Sequence, residues 1–477
     1  MDFQETLKKC SKIALAFMAV LFILGAIFYK ERVLFSDAAF RVFNMINYSR
    51  FDVPGNRYGA FVVQVLPYLA LKLHWSVNVI LFFYGFSYYL FYLLVMVLLV
   101  YGYRQYSFAI LMALYYFLFV SESYMWVSET FEGIAWMFLF FAVTLHLGNK
   151  RVNTFLLLFP FSLLAFLTIF THFVIIIPVT FLWIYFIIEK KNWPFSKNIS
   201  ILLSCALVFI TALKFIDTST HPYDSDHLHG VTHFSLQDII NTFTTPVFGM
   251  FLYRCITNYW ITVIVFIISM VSLIKYKQKA LAAWTFIAAL GYFIIMGLTY
   301  GDLDNKVQLF HIESEWSCIS IIVAAGFVFT FLPRLKPLTA GCFLVGIFII
   351  RLIYICIGIS SFVLRTHLNE QVLAQMRKKG ITKLALFIDD RQFLSINKLN
   401  WGLPFESLMM SAVNGDKPQL TFCSLNRDDK QSIQEIADPK KVYISFGMMK
   451  VNEFNKKYFL VDSTHPYQVM TYEEFMK

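Results

Sequence analysis

Residues 76–101 read SVNVILFFYGFSYYLFYLLVMVLLVY: 26 residues without one charged side chain. A run of about 18 or more apolar residues is what a helix needs to cross a bilayer. Tyr101 is followed at once by a polar turn with Arg104 and Gln105. Similar runs recur from Ile13 to Val363 and then stop. Hydrophobic residues make up 58% of the 477 and charged residues 15%, against roughly 45–50% and 25% in soluble domains. A soluble fold is excluded on that ground.

Spans are expected near 12–29, 76–101, 106–120, 133–148, 154–172, 173–188, 198–216, 257–274, 280–299, 316–332 and 338–363. The expected fold is an all-α polytopic membrane protein of about 11 transmembrane helices over residues 1–363, followed by a small α/β domain over 364–477. The first run follows Lys8, Lys9 and Lys12 and lacks a small-residue cleavage site, so it reads as an uncleaved span. Residues 154–188 are too long for one crossing, and Pro160, Thr171, His172 and Pro178 interrupt them. Two short helices meeting at His172 fit best, with a cavity beside the break. Residues 58–73 hold Gly59, Gln64, Pro67 and Lys72. They read as a helix at the membrane interface, with a true crossing as the alternative.

Lys and Arg set the orientation. With the N-terminus in the cytoplasm, the inside loops carry Arg104; Lys150 and Arg151; Lys190, Lys191 and Lys197; Lys275, Lys277 and Lys279; and Arg334 with Lys336. The outside loops after residue 57 are longer and poor in Lys and Arg. The same count places 364–477 outside. The expected location is the cell (inner) membrane. The partners are the lipid bilayer and lipid-linked substrates; no nucleic acid is expected. The seven cysteines are scattered without a CxxC pair and read as small buried hydrophobes. No internal repeat is evident.

The first outside loop breaks the charge rule, with Lys30, Glu31, Arg32, Asp37, Arg41, Arg50, Asp52 and Arg57. Ser36 is placed to cap a helix over about 37–48. Ala39, Val42, Phe43 and Ile46 then share an apolar face, so the helix should lie on the membrane surface. Asp37 near its start can serve as a general base, and Arg41, Arg50 and Arg57 can grip a lipid phosphate. The alternative is a solvated helix whose basic residues only touch head groups.

Three further clusters fall on the same side. SESYMWVSETFE, 121–132, brings Glu129 and Glu132 to the mouth of a span. There they can face a cavity or merely favour a helix N-terminus. Residues 218–233 hold Asp224, Asp226, His227 and His229, a set suited in chemistry to a divalent metal though in no standard spacing. They can equally form a mobile substrate-facing loop. His311, Glu313 and Glu315 precede another span, as substrate contacts or as markers of the water boundary. Arg351 lies deep in the last span and needs an anionic partner, from protein or phosphate. In the C-terminal part, a helix over 369–379 stopped by Gly380 and strands at 383–388, 419–423, 441–445 and 458–461 are expected, without a catalytic motif.

This order of parts resembles the membrane glycosyltransferases of the C-type (GT-C) fold, in particular the protein-mannosyltransferase-like and aminoarabinose-transferase-like group. Ser36-Asp37-Ala38-Ala39-Phe40 looks like that family's first-loop acid site. Residues 58–73, with Pro67 and Tyr68, look like its second surface helix, and Glu129 and Glu132 like its second acid. Two features depart from the family: no paired acid stands beside Asp37, and Leu309-Phe310-His311 replaces an Arg-Tyr. The resemblance implies sugar transfer from a polyprenyl-phosphate donor to a lipid, glycan or protein acceptor. Asp37 would be the base; Arg41, Arg50, Arg57 or Arg351 would hold phosphate; Glu129 or Glu132 would orient the acceptor or a metal; His172, His311 and Glu313 would line the substrates. The open alternatives are a transporter or flippase for a lipid-linked glycan and a polysaccharide polymerase or ligase.

Overall fold

In the computed structural model, residues 3–477 are described apart from 192, 222–224, 226–229, 231, 301–308, 388–396, 398 and 445–446. The chain opens with helices α1 (Phe3–Ile27), α2 (Tyr29–Val33) and α3 (Ser36–Tyr48). A 3-10 stretch, Tyr58–Gln64, leads into α4 (Val65–Lys72). Next come α5 (Val77–Val97), α6 (Tyr106–Phe119), α7 (Glu129–Asn149), α8 (Thr154–Ile169), α9 (Ile176–Glu189) and α10 (Lys197–Ser219). Then follow α11 (Leu236–Thr242), α12 (Pro246–Thr257), α13 (Trp260–Lys275), α14 (Lys279–Tyr300), α15 (Leu309–Trp316), α16 (Ile319–Gly326) and α17 (Pro337–Lys379).

Seven helices among the described residues are long and apolar enough to cross a membrane, or eight if the pair α12–α13, bent by 88°, counts as one span. The chain therefore has the helical, multi-pass architecture expected. Every expected span coincides with a helix, but α6, α8 and α9 are short, at 14, 16 and 14 residues. In α6 the reason is its position. Every residue from Phe108 to Phe119 is buried, so protein rather than lipid surrounds it. At the other extreme, Phe155, Leu156 and Phe159 on α8 stand exposed, as lipid-facing side chains do.

The break between α8 and α9 falls at His172, which is extended in backbone and accepts the Val174 N–H on Nδ1 at 3.4 Å. At one end of the bundle, Gln4, Arg104, Asn149, Lys191, Gln278 and Arg334 line a single cavity. The N-terminal helix and the five short basic loops thus gather on one face. Arg104, Arg151, Lys190 and Lys277 each take a left-handed φ of 51–60° just beyond a helix, the position usually given to Gly or Asn.

α17 runs unbroken for 43 residues, about 65 Å at 1.5 Å per residue. A separate helix over 369–379 is therefore corrected: nothing between Leu364 and Asn369 breaks helical geometry, and the helix stops at Gly380, φ 67°. Beyond it, β1 (Lys383–Phe387) lies between β2 (Thr421–Leu425) and β5 (Gln468–Met470) in a parallel sheet. β3 (Lys441–Tyr443) and β4 (Met448–Lys450) pair antiparallel. The expected strand over 458–461 reduces to one bridge, Gln419 to Val461. Helix α18 (Leu403–Asn414) covers α3. Phe43 meets Phe405, Phe454 and Phe459 at ring distances of 5.0, 5.8 and 5.4 Å. Of the two readings of α3, the solvated helix does not hold. The C-terminal part covers it, and even Arg41 is buried.

Candidate functional site

The site begins with how α3 starts. Phe35 is extended, and Ser36 takes φ 44°. The Ser36 hydroxyl makes no capping bond, contrary to expectation. Its backbone N–H instead donates to Glu406 Oε1 at 2.8 Å. Arg365 holds that carboxylate with both terminal nitrogens, Nη2 at 2.9 Å from Oε1. A buried ion pair 370 residues along the chain thus replaces the local cap. Gly402 is required beside it, since a Cβ there would stand 2.8 Å from Ser36 Cα.

Asp37 follows in the first turn. The Trp126 indole N–H donates to its carboxylate. Burial pushes the carboxyl above the usual carboxylate range, while Arg41 and Arg57 pull it back. One turn on, Arg41 forms an ion pair with Glu129, the first residue of α7. Arg57 Nη1 lies 3.3 Å from the other oxygen of Glu129. One carboxylate is therefore gripped by two guanidinium groups from different elements. Glu132, a turn further, is 3% exposed, and its Oε2 has no hydrogen-bond partner.

Two residues in this cluster were not singled out from the sequence. Asp52 is tied by its backbone N–H to Gln64 Oε1 at 2.9 Å, and Gln64 Nε2 returns a bond to Asp52 O at 2.7 Å. Burial raises its carboxyl too, Arg41 being the largest opposing influence. Its Oδ2 is buried without a hydrogen-bond partner. Asp37 and Asp52 thus both feel Arg41. Tyr84, buried on α5, places its hydroxyl within electrostatic reach of Arg41, Glu132, Asp52 and Asp37. A tyrosine inside an apolar run carries no local signal; only the helix's position gives it a role.

The neighbouring segments are fixed around this centre. Trp136 Nε1 donates to Gly59 O at 3.0 Å. A Cβ on Gly59 would lie 1.7 Å from Thr171 Oγ1, so the 3-10 stretch lies directly on the end of α8, beside His172. Asn56 donates to Asp217 at 2.7 Å, and Lys214 pairs with Asp217 at 2.8 Å. The end of α10 thus joins the same region.

Other expected site residues stand elsewhere. Arg50 is exposed and lies over the Tyr48 ring at 5.4 Å. Arg351 is fully buried and gives its protons to backbone carbonyls, from Nε to Phe117 O at 2.7 Å, from Nη2 to Val120 O at 3.0 Å and from Nη1 to Asn258 O. Each of its three nitrogens thus already donates to a backbone carbonyl. Glu313, also fully buried, accepts the N–H groups of Ser121 and Ser123 at 2.8 and 2.7 Å and the Tyr259 hydroxyl at 3.0 Å. Both side chains therefore serve as internal braces, Arg351 on three backbone carbonyls and Glu313 on two backbone N–H groups and two hydroxyls. His311 is on α15, with its side chain outside the described residues, as are Asp224, Asp226, His227 and His229 entirely. Among the described residues, no group of three or more His, Cys, Asp or Glu is arranged to hold a metal ion.

The cluster thus combines four carboxylates, Asp37, Asp52, Glu129 and Glu132, with two guanidinium groups, Arg41 and Arg57. Chemically it offers a half-buried carboxylate able to accept a proton and a two-armed anion cradle. No family model, characterised protein or solved structure matches the chain.

Proposed function

We propose that the protein transfers a sugar from a polyprenyl-phosphate donor to an acceptor hydroxyl at the outer membrane face, with the N-terminus cytoplasmic and residues 364–477 outside. The observation that carries this reading is the convergence of Arg41 and Arg57 on one carboxylate, within electrostatic reach of the half-buried Asp37. Two guanidinium groups that embrace a carboxylate can embrace a phosphate, whose oxygens match the same fork. Asp37 is the base, since burial brings its carboxyl closer to neutral pH than a free aspartate. The acceptor oxygen attacks the anomeric carbon and its proton passes to the Asp37 carboxylate. The bond from that carbon to the phosphate oxygen breaks, and its electron pair leaves with the phosphate. Arg57 and Arg41 stabilise the leaving group as Glu129 yields its place. Glu132 and Tyr84 orient the acceptor.

Mass spectrometry of the glycolipids and glycans of cells with the wild-type gene, the Asp37→Asn variant or neither tests the reading. A glycan present only with the wild type supports it. A glycan made equally with Asp37→Asn removes the base. A flippase would use the same polar cluster without needing one, and that second outcome would favour it.

A further inference from the structure

At the opposite end of the bundle, the basic-loop face encloses a cavity of about 680 Å³. That volume suits a small organic ligand, since such sites run to about 300–1,000 Å³. Arg104, Lys191 and Arg334 line it, with Glu189 as the carboxylate among the lining residues. None of these three cations is ion-paired with a carboxylate among the described residues. Arg334 is already oriented: its guanidinium lies 3.9 Å over the Tyr276 ring and donates to Thr330 O. Arg104 is presented on a left-handed residue, φ 56°, just beyond the bundle. Tyr106 and Trp193 supply flat apolar wall. The lining thus combines three positive groups from three separate loops, one of them pre-oriented, with a surplus of positive charge.

We propose that this cavity binds a phosphate-bearing anion of head-group or sugar-phosphate size, held by Arg104, Lys191 and Arg334. Arginine forks fit phosphate oxygens, and lysine adds a point charge. The anion comes either from an anionic phospholipid of the adjoining leaflet or from a soluble phosphate ester. The inference does not rest on the sugar-transfer reading, because the two sites share no residue.

The test uses the full chain in nanodiscs. In one arm, native mass spectrometry counts phosphatidylglycerol retained from discs mixed with phosphatidylcholine. In the other, calorimetry follows glycerol 1-phosphate added to protein in phosphatidylcholine alone. Retention in the first arm only assigns the lipid source, and binding in the second assigns the soluble one. In whichever arm binds, the double variant Arg104→Gln, Lys191→Gln should weaken binding about tenfold or more for each lost charge-assisted contact. Both side chains are exposed, so the fold should survive. Arg334→Lys, which keeps the charge and loses the fork, should weaken it less. Lys277→Gln, on a neighbouring turn outside the lining, should bind as the wild type does. Binding in neither arm, or equal loss in Lys277→Gln and the double variant, overturns the proposal.

Discussion

Two buried clusters pair carboxylate with arginine, and they have opposite character. Around Glu313 and Arg351, which feel each other's charge without an ion pair, hydrogen bonds go to the protein itself: Ser121, Ser123 and Tyr259 on one side, Phe117, Val120 and Asn258 on the other. In the Asp37–Glu129 cluster, oxygens of Asp52 and Glu132 are buried with no hydrogen-bond partner, and carboxylates outnumber guanidinium groups. A satisfied buried charge braces the fold. An unsatisfied one costs stability, and chains keep such costs where function needs them. The difference separates a brace from a candidate site more sharply than burial, which both clusters share.

The strongest way to break that comparison is Asp37→Asn. Sugar transfer should fall by about 10²–10⁴-fold, the usual contribution of a general base. The melting temperature in detergent should hold or rise, because a neutral amide removes a buried charge. A fall in melting temperature with activity intact would make Asp37 a brace like Glu313.

Glu313→Ala should act the other way. It removes a negative charge near Arg351 and strips the Ser121 and Ser123 N–H groups and the Tyr259 hydroxyl of their acceptor, at about 1–3 kcal/mol for each group left unsatisfied. Thermal unfolding checks it; an unchanged melting temperature would show that Glu313 is not a brace. Glu406→Gln is a smaller test of the same kind. Losing a charged partner of Arg365 and Ser36 should cost about 1.5–3 kcal/mol. It should also lower the transfer rate, because it releases the start of α3 and with it Asp37.

The smallest effect sharpens the electrostatics. As the proposed base, Asp37 would act only when ionised, so the rate should rise as pH climbs through its raised pKa. Arg57 lowers that pKa. Arg57→Ala should therefore move the acid limb of the pH–rate profile to higher pH. The linkage to stability has the opposite sense. With its folded pKa above the ordinary 3.8, Asp37 favours the folded state fully below that value. The benefit is lost as pH rises through the folded value. A limb that stays in place in Arg57→Ala would separate Asp37 from the Arg57–Glu129 pair.

Local reading reached as far as local physics extends. Apolar runs marked the helices, and Gly380 marked the end of α17. The first-loop charges include Arg41 and Arg57, which meet at Glu129, and Asp37, which feels both guanidinium groups. The same reading grouped Arg351 and Glu313 with them, since a buried charge looks alike in sequence whether or not its partners are backbone. Ser36 looked like a cap because Ser before a helix usually is one. The carboxylate that took that place, Glu406, lies across the fold.

What the sequence by itself determined is the solvent of each segment. An 18-residue apolar run has no other stable home than lipid or the interior of a bundle, and short basic loops mark one face. What only the tertiary structure decided is which charges are spent and which are left over. That depends on the hydrogen-bond partners of each buried oxygen and nitrogen. Those partners come from residues as far apart as Ser36 and Glu406, or Tyr84 and Asp37, whose encounter is set by helix packing and not by any neighbour in the chain.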